Sequence, residues 1–311
     1  MDKTTVLSRT AALTSKKQKL SLGERIFIVF NHTFFVIFSL TTLFPFLNLI
    51  AKSLSGEAAV ISGTVTVWPI DFQTGTYQYV LGNKQFINSF KITIFITILG
   101  SIMCLFMTAI SAYPLSKQRL RGRGAIMVIF IFTMLFSGGL IPHYLLMQNL
   151  QLLNKVWVLI LPGLVNVFNM LIIKCFFESI PDSLEESAKI DGASNITILF
   201  KIILPLSKPV LATITLFFAV GFWNSFFSAM IYITKPELKP LQLYLKELLY
   251  STRDVLGSYG TGSVDVDRAM NIIPEAVQAA SIITATIPIL CVYPFLQKYF
   301  VKGVMIGSIK G

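Results

Sequence analysis

The chain has 311 residues, 54% of them hydrophobic and only 13% charged, about half the charged share of an ordinary soluble domain. It carries 26 Lys and Arg against 15 Asp and Glu, a net charge of +11. This composition excludes a soluble globular domain, and the basic residues lie beside apolar runs with no isolated arm or aromatic-interleaved patch, which argues against nucleic acid as a partner.

A bilayer core about 30 Å thick takes about 20 mostly apolar residues in a helix. Six runs of that kind follow one another, at residues 26–51, 86–115, 125–147, 156–177, 210–233 and 274–300. Ahead of the first lies a polar tail, residues 1–25, with Lys3, Arg9, Lys16, Lys17, Lys19 and Arg25. The first run is too long for a signal-peptide core and no small-residue cleavage site follows it, so it is expected to stay as a span. The loop after the second run, "SKQRLRGRG", holds Lys117, Arg119, Arg121 and Arg123, and the C-terminal tail holds Lys298, Lys302 and Lys310. Basic clusters mark the cytoplasmic side. Six spans then place both termini, and the segment between the fourth and fifth runs, in the cytoplasm. The last outer loop, about 234–272, is long and carries Lys235, Lys239, Lys246, Arg253 and Arg268, a departure from the charge rule. Within it "LQLYLKELLYS" spaces Leu241, Leu245, Leu248 and Leu249 at helical intervals, which predicts a short amphipathic helix at the outer surface. "GSYGTGSVD" after it is expected to be flexible. The expected organisation is a basic tail at 1–25 and one all-helical membrane domain at 26–311.

Cys104, Cys175 and Cys291 fall in apolar segments without CxxC spacing or a nearby His, and read as packing residues rather than a disulfide framework or metal site. His32 and His143 are far apart, and no nucleophile, base and acid present themselves together.

The segment at about 179–209 is different in kind. It contains "SLEESAKIDGASNITILFKIILPLSKP", with Glu185, Glu186, Lys189, Asp191, Lys201 and Lys208 in one short window. Ser183 with Glu186 three residues on fits a capping box, and Gly192 is placed to end the helix in a left-handed conformation. A first helix is expected over about 184–191. Ser194 or Asn195 suits the cap of a second, more apolar helix that Pro205 should kink or stop. Helix, glycine turn and second helix together make a cytoplasmic docking knob joined to the fifth span.

These residues carry a resemblance. Importer permeases of the ATP-binding-cassette (ABC) class share a Glu-Ala-Ala triplet, three residues, Gly, nine residues, then Ile-x-Leu-Pro. Here stand Glu186-Ser187-Ala188, Gly192 and Ile202-Ile203-Leu204-Pro205, with Ser187 the only departure. With residue frequencies of roughly 5–10% each, six fixed matches recur by chance about once in a million positions. "INSFKITIFITILGSIMCLFMTAISAYPLSKQRLRGRG" resembles the second-span signature of maltose-type carbohydrate permeases, with Asn88-Ser89 and Ala112-Tyr113 at its ends. "SGGLIPHYLLMQNLQLLN", "PLSKPVLATITLFFAVGFWNSFFSAMIYI" and "QKYFVKGVMIGSIKG" resemble the LplC-type polysaccharide permease branch.

The resemblance implies an all-α membrane protein of the type I ABC importer permease fold, with six transmembrane helices, in the cell membrane of a bacterium. It implies four kinds of partner: a second related permease, two ABC ATPase subunits, an extracellular or periplasmic sugar-binding protein, and an oligosaccharide or polysaccharide fragment as cargo. No GxxxxGK[ST] loop occurs in the chain, so ATP and Mg²⁺ are expected on the ATPases and no cofactor on this subunit. Glu185, Glu186, Ala188, Asp191, Gly192, Ile202, Leu204 and Pro205 would form the ATPase-coupling loop. Glu185, Glu186 and Asp191 would offer carboxylates to basic ATPase groups, and Ala188 a small face for close approach. The tail "GVMIGSIKG" would reach toward the ATPase interface or fray.

Polar residues within spans mark a pathway or an interhelical contact. Trp223, Asn224, Ser225, Asn169, Asn166 and Tyr144 are the substrate-pathway candidates, with Asn88 at the outer boundary a weaker one. Amides beside aromatic faces suit a sugar, whose C–H patches alternate with hydroxyls; helix-to-helix hydrogen bonds are the competing role for each. The alternatives in function are an ABC permease for another solute and a stand-alone secondary carrier. No acidic residue lies deep in a span to serve the carrier as a proton site.

Overall fold

The computed structural model describes residues 21–259 and 275–308, and the described residues contain helices and no strand. Helix α1 (Leu22–Ser53) opens on a reciprocal cap: Ser21 Oγ accepts from the Glu24 amide at 3.2 Å and Glu24 Oε2 from the Ser21 amide at 2.7 Å. This capping box was not anticipated. Apart from Ala51 and Ser53 at its C-terminal end, the helix buries none of its side chains fully, leaving an apolar surface for lipid or a partner chain.

Two short helices, α2 (Glu57–Ile61) and α3 (Gly75–Gly82), fill the loop that follows. Asn48 Nδ2 donates to the carbonyls of Val65 and Thr66 at 3.1 and 2.7 Å, holding this loop over the end of α1.

Helix α4 (Lys84–Ser116) is the central post. Asn83 caps it by accepting from the Phe86 amide at 3.0 Å. Small and polar residues line its buried face, among them Ser89, Thr93, Gly100, Ser101, Cys104, Thr108 and Ala112, so neighbouring helices approach closely in the absence of a hydrophobic driving force. At Gly100 a Cβ would lie 2.7 Å from the ring of Phe222.

Two of the six expected spans, the third and fourth, bend within their runs, and the fifth is entered through a bend and interrupted at residues 224–226. Helices α5 (Arg123–Leu135) and α6 (Leu140–Asn149) meet at 108°. The break follows from Ser137-Gly138-Gly139, where Gly139 adopts φ +89°, a conformation cheap only for glycine. Helix α7 (Trp157–Ile160) runs through a 3₁₀ turn at Leu161–Gly163, and meets α8 (Val167–Glu178) at 47°. After α9 (Asp182–Ile190), the third bent pair begins with α10 (Asn195–Ile198) and runs through a π-helical turn, Leu199–Ile203, to α11 (Leu204–Leu206). The chain then turns 83° into α12 (Lys208–Trp223). Pro205 has no amide to give the Lys201 carbonyl, and the register widens there: Leu204 N donates to Leu199 O, a π bulge.

Helix α13 (Phe227–Tyr232), a 3₁₀ turn at Pro236–Leu238, α14 (Leu241–Tyr259) and α15 (Glu275–Ser308) complete the chain. Helices α1 and α4, and Glu275–Val292 of α15, are each long and apolar enough to cross a membrane, and counting each bent pair as one span gives six. The helix expected on the outer surface is α14, but its apolar face is turned inward: Leu241, Leu245 and Leu248 pack with Val80, Phe86, Trp223 and Ala280. Residues 260–274, where most of the expected flexible stretch lies, and 309–311 fall outside the described residues.

Candidate functional site

The knob is built from α9 and α10 with the turn between them. Helix α9 begins at Asp182 with Pro181 at its cap and no side-chain cap bond. The expected capping box from Ser183 to Glu186 is therefore not formed. Ser183 lies at the second helical position rather than at the cap, which Pro181 occupies, and a proline cap has no side-chain oxygen to offer the helix amides. The helix end fits the expectation. Asp191 closes it, Gly192 takes φ +80°, the Gly192 amide donates to Lys189 O at 3.0 Å and the Ala193 amide to Ala188 O at 2.9 Å. These two bonds form a Schellman motif, which needs the left-handed residue that glycine supplies. Ser194 Oγ then accepts from the Thr197 amide at 3.2 Å and starts α10.

The two faces of α9 differ sharply. Glu186, Asp191 and Ile190 are exposed, Ile190 at 86%, while Glu185 is only 3% exposed. Glu185 does not display its carboxylate on the knob as the resemblance implied. It is paired with Lys117 Nζ, itself buried, and lies 3.7 Å from Arg119 Nη2. A buried charge persists only when paired. This pair therefore fixes α9 to the end of α4. In the sequence Lys117 and Arg119 stand out as markers of membrane sidedness rather than as partners; the signal for their pairing is the Glu185-Glu186 doublet, whose two side chains cannot both share one face of a helix.

Behind the charges lies the largest apolar cluster. Ile198, Leu199 and Ile203 of the knob are buried with Phe177, Ile180, Val210 and Ile214; Ala188, Ile202 and Leu204 pack against it, and Pro205 is exposed. A second polar fastening holds the neighbouring ends: Glu178 pairs with Arg123 and, at 2.9 Å, with Lys174, while Arg123 Nε donates to Leu115 O at 2.8 Å. Close packing and these ion pairs thus join α9 to α4, α8 and α12, despite the sharp bend at Ser207.

The pathway candidates do not converge on one cavity. Trp223 is buried with Phe86 and Leu241, its ring edge-on to Phe90 at 6.1 Å, and its Nε1 has no hydrogen-bond partner. Asn224 is exposed at the end of α12, donating to Val220 O at 3.0 Å, and Ser225 beside it is half-buried. Asn166 caps α8 by accepting from the Asn169 amide at 3.0 Å; Asn166 is exposed and Asn169 buried. Tyr144 stacks on Tyr232 at 6.1 Å. The weaker candidate, Asn88, donates to the Glu237 carbonyl and ties α4 to the loop between α13 and α14. Cys104 is buried, with Sγ 3.3 Å from Gly163 O, and Cys104, Cys175 and Cys291 are unpaired thiols. Among the described residues no cluster of His, Cys, Asp and Glu suits a metal ion.

Comparison with known proteins follows the same outline. Protein LplC of Bacillus subtilis (strain 168) is 45% identical over 92% of this chain and 96% of its own length. The polygalacturonan/rhamnogalacturonan transport system permease protein YtcP of the same organism is 39% identical over 93% of this chain and 100% of its own. A chain in the crystal structure of a bacterial ABC transporter involved in the import of the acidic polysaccharide alginate superposes with a TM-score of 0.82 at 38% identity, covering 91% of this chain and 99% of that one. Residues 97–306 match the family described as "Binding-protein-dependent transport system inner membrane component". The chain belongs to that family: it is an ABC-transporter permease subunit of the bacterial membrane, with the type I importer fold.

Proposed function

We propose that this subunit carries oligosaccharides or polysaccharide fragments inward, as half of a permease pair served by two ATPases and a sugar-binding protein, with ATP and Mg²⁺ held by the ATPases. The observation that carries the coupling role is the knob itself. Its exposed edge offers Glu186, Asp191 and Ile190, its turn is fixed by Gly192, and its base is fused by packing to three long helices. Such a part transmits a push without absorbing it. The basic clusters of the tails and of Lys117–Arg123 favour a cytoplasmic position for the knob and both termini.

Relatives support a carbohydrate cargo: YtcP is a polygalacturonan/rhamnogalacturonan transport system permease protein and GanQ of Bacillus subtilis, 35% identical over 75% of this chain, a galactooligosaccharides transport system permease protein. Exposed Asn224 and Asn166, with half-buried Ser225 and Tyr144, are the residues of this subunit available to a path completed by the second permease; Trp223 and Asn169 support them from inside. Coexpression with neighbouring permease, ATPase and binding-protein genes tests this reading. A stable complex that accumulates labelled oligosaccharide in proteoliposomes only with ATP is expected, and uptake by this chain alone would make it a secondary carrier.

A further inference from the structure

A cavity of about 530 Å³ opens between the last turns of α4, the loop after it and α10. Lys117, Arg119 and Arg121 line it from the α4 side, and Asn195, Ile196 and Leu199 from the knob. Among the described residues, Glu185 is the one carboxylate paired with these cations, through Lys117 and Arg119, and Arg121 has no ionic partner. Three cations therefore face one carboxylate. The site keeps an excess of positive charge beside an apolar floor.

That floor continues along the span. Ile110 lines the cavity, and Phe106 and Ile102, one and two turns back along α4, are exposed on the same face; Phe200 of the knob meets Phe106 with ring centroids 6.3 Å apart and is also exposed. A basic mouth leading into an apolar strip parallel to a transmembrane helix matches one chemistry better than any soluble anion: a phosphate diester carrying acyl chains. Basic pockets between helix ends on the cytoplasmic side recognise anionic headgroups in this way.

We propose that this cavity seats the headgroup of an anionic phospholipid of the cytoplasmic leaflet, with an acyl chain along Ile110, Phe106 and Ile102. The proposal rests on the cytoplasmic placement of the knob given above. The bound lipid bridges α4 to α10 and stiffens the knob where Glu185 already ties it down.

The test is lipid retention by the assembled transporter, read by native mass spectrometry after exchange into phosphatidylglycerol or phosphatidylcholine, with inorganic phosphate as a competitor. Wild type is expected to retain phosphatidylglycerol over phosphatidylcholine, and millimolar phosphate to leave that retention unchanged. Arg121→Gln, at an exposed position outside the packed core, should reduce retention roughly five-fold, the worth of one basic contact. Ile110→Trp, which obstructs the strip, should reduce it independently. Equal retention by wild type and both variants overturns the site. Displacement of the lipid by inorganic phosphate reassigns it to a free anion, and a cross-link from Arg121→Cys to the second permease shows that protein covers it; either result defeats the proposal. Because the readout is retained lipid, failure here leaves the transport reading intact, whereas loss of ATP-driven uptake with retention unchanged counts only against that reading.

Discussion

Trp223 and Asn224 are neighbours in sequence, yet the fold gives them different work. Trp223 is enclosed by Phe86, Phe90 and Leu241, and Asn224 is exposed at the helix end. Trp223→Ala should therefore cost about 3–5 kcal/mol in stability through the cavity it leaves, read as a lower melting temperature and yield of the complex. Asn224→Ala should assemble normally and lose sugar uptake; a variant that assembles poorly yet transports in proportion to its amount would remove Asn224 from the pathway. Glu185 makes a separate case. Glu185→Gln leaves Lys117 buried without its counter-charge, an uncompensated charge that typically costs about 3–5 kcal/mol, while Glu185→Gln combined with Lys117→Met should recover most of the loss. Thermal stability across the four-member cycle measures the coupling, and additive losses would mean that the two side chains act independently.

At the scale of elements, the hydropathy of the chain locates helices better than it locates their breaks. Helices α1, α4 and α15 follow the apolar runs closely, because a long stretch of Ile, Leu and Phe has no other way to satisfy its backbone in lipid. The runs at 125–147, 156–177 and 210–233 look equally continuous, but Gly139 with its positive φ, the Pro162-Gly163 pair and the turn at Asn224 interrupt them, and a window average is blind to one or two residues that end a helix. In the knob, Gly192 and Ser194 were legible since their roles are local bonds within three residues. The start of α9 was not, because Pro181 takes the cap position that the pattern of Ser183 and Glu186 assigns to Ser183. Glu185 was misread for a different reason: its partners lie far away in sequence, on α4 and its following loop, and pairing of that range leaves no periodic trace.

In the whole molecule, the side of the membrane that the knob occupies decides whether it can meet an ATPase and drive transport. In a background lacking the native cysteines, Ser194→Cys should resist a membrane-impermeant thiol reagent applied to intact cells and Glu237→Cys should react. Reaction at Ser194→Cys would invert the orientation. The central claim is that α9 and its glycine turn convert ATPase closure into movement of the spans. It is tested most directly by the ATP hydrolysed per sugar imported in proteoliposomes holding the complete complex, wild type against Gly192→Val. A β-branched residue at φ +80° costs roughly 1–2 kcal/mol locally, enough to misdirect the knob without unfolding the helices behind it. The account predicts a complex of normal yield that hydrolyses ATP while importing at least ten-fold less sugar per ATP. A Gly192→Val complex of normal yield with an unchanged ratio of import to hydrolysis would contradict it.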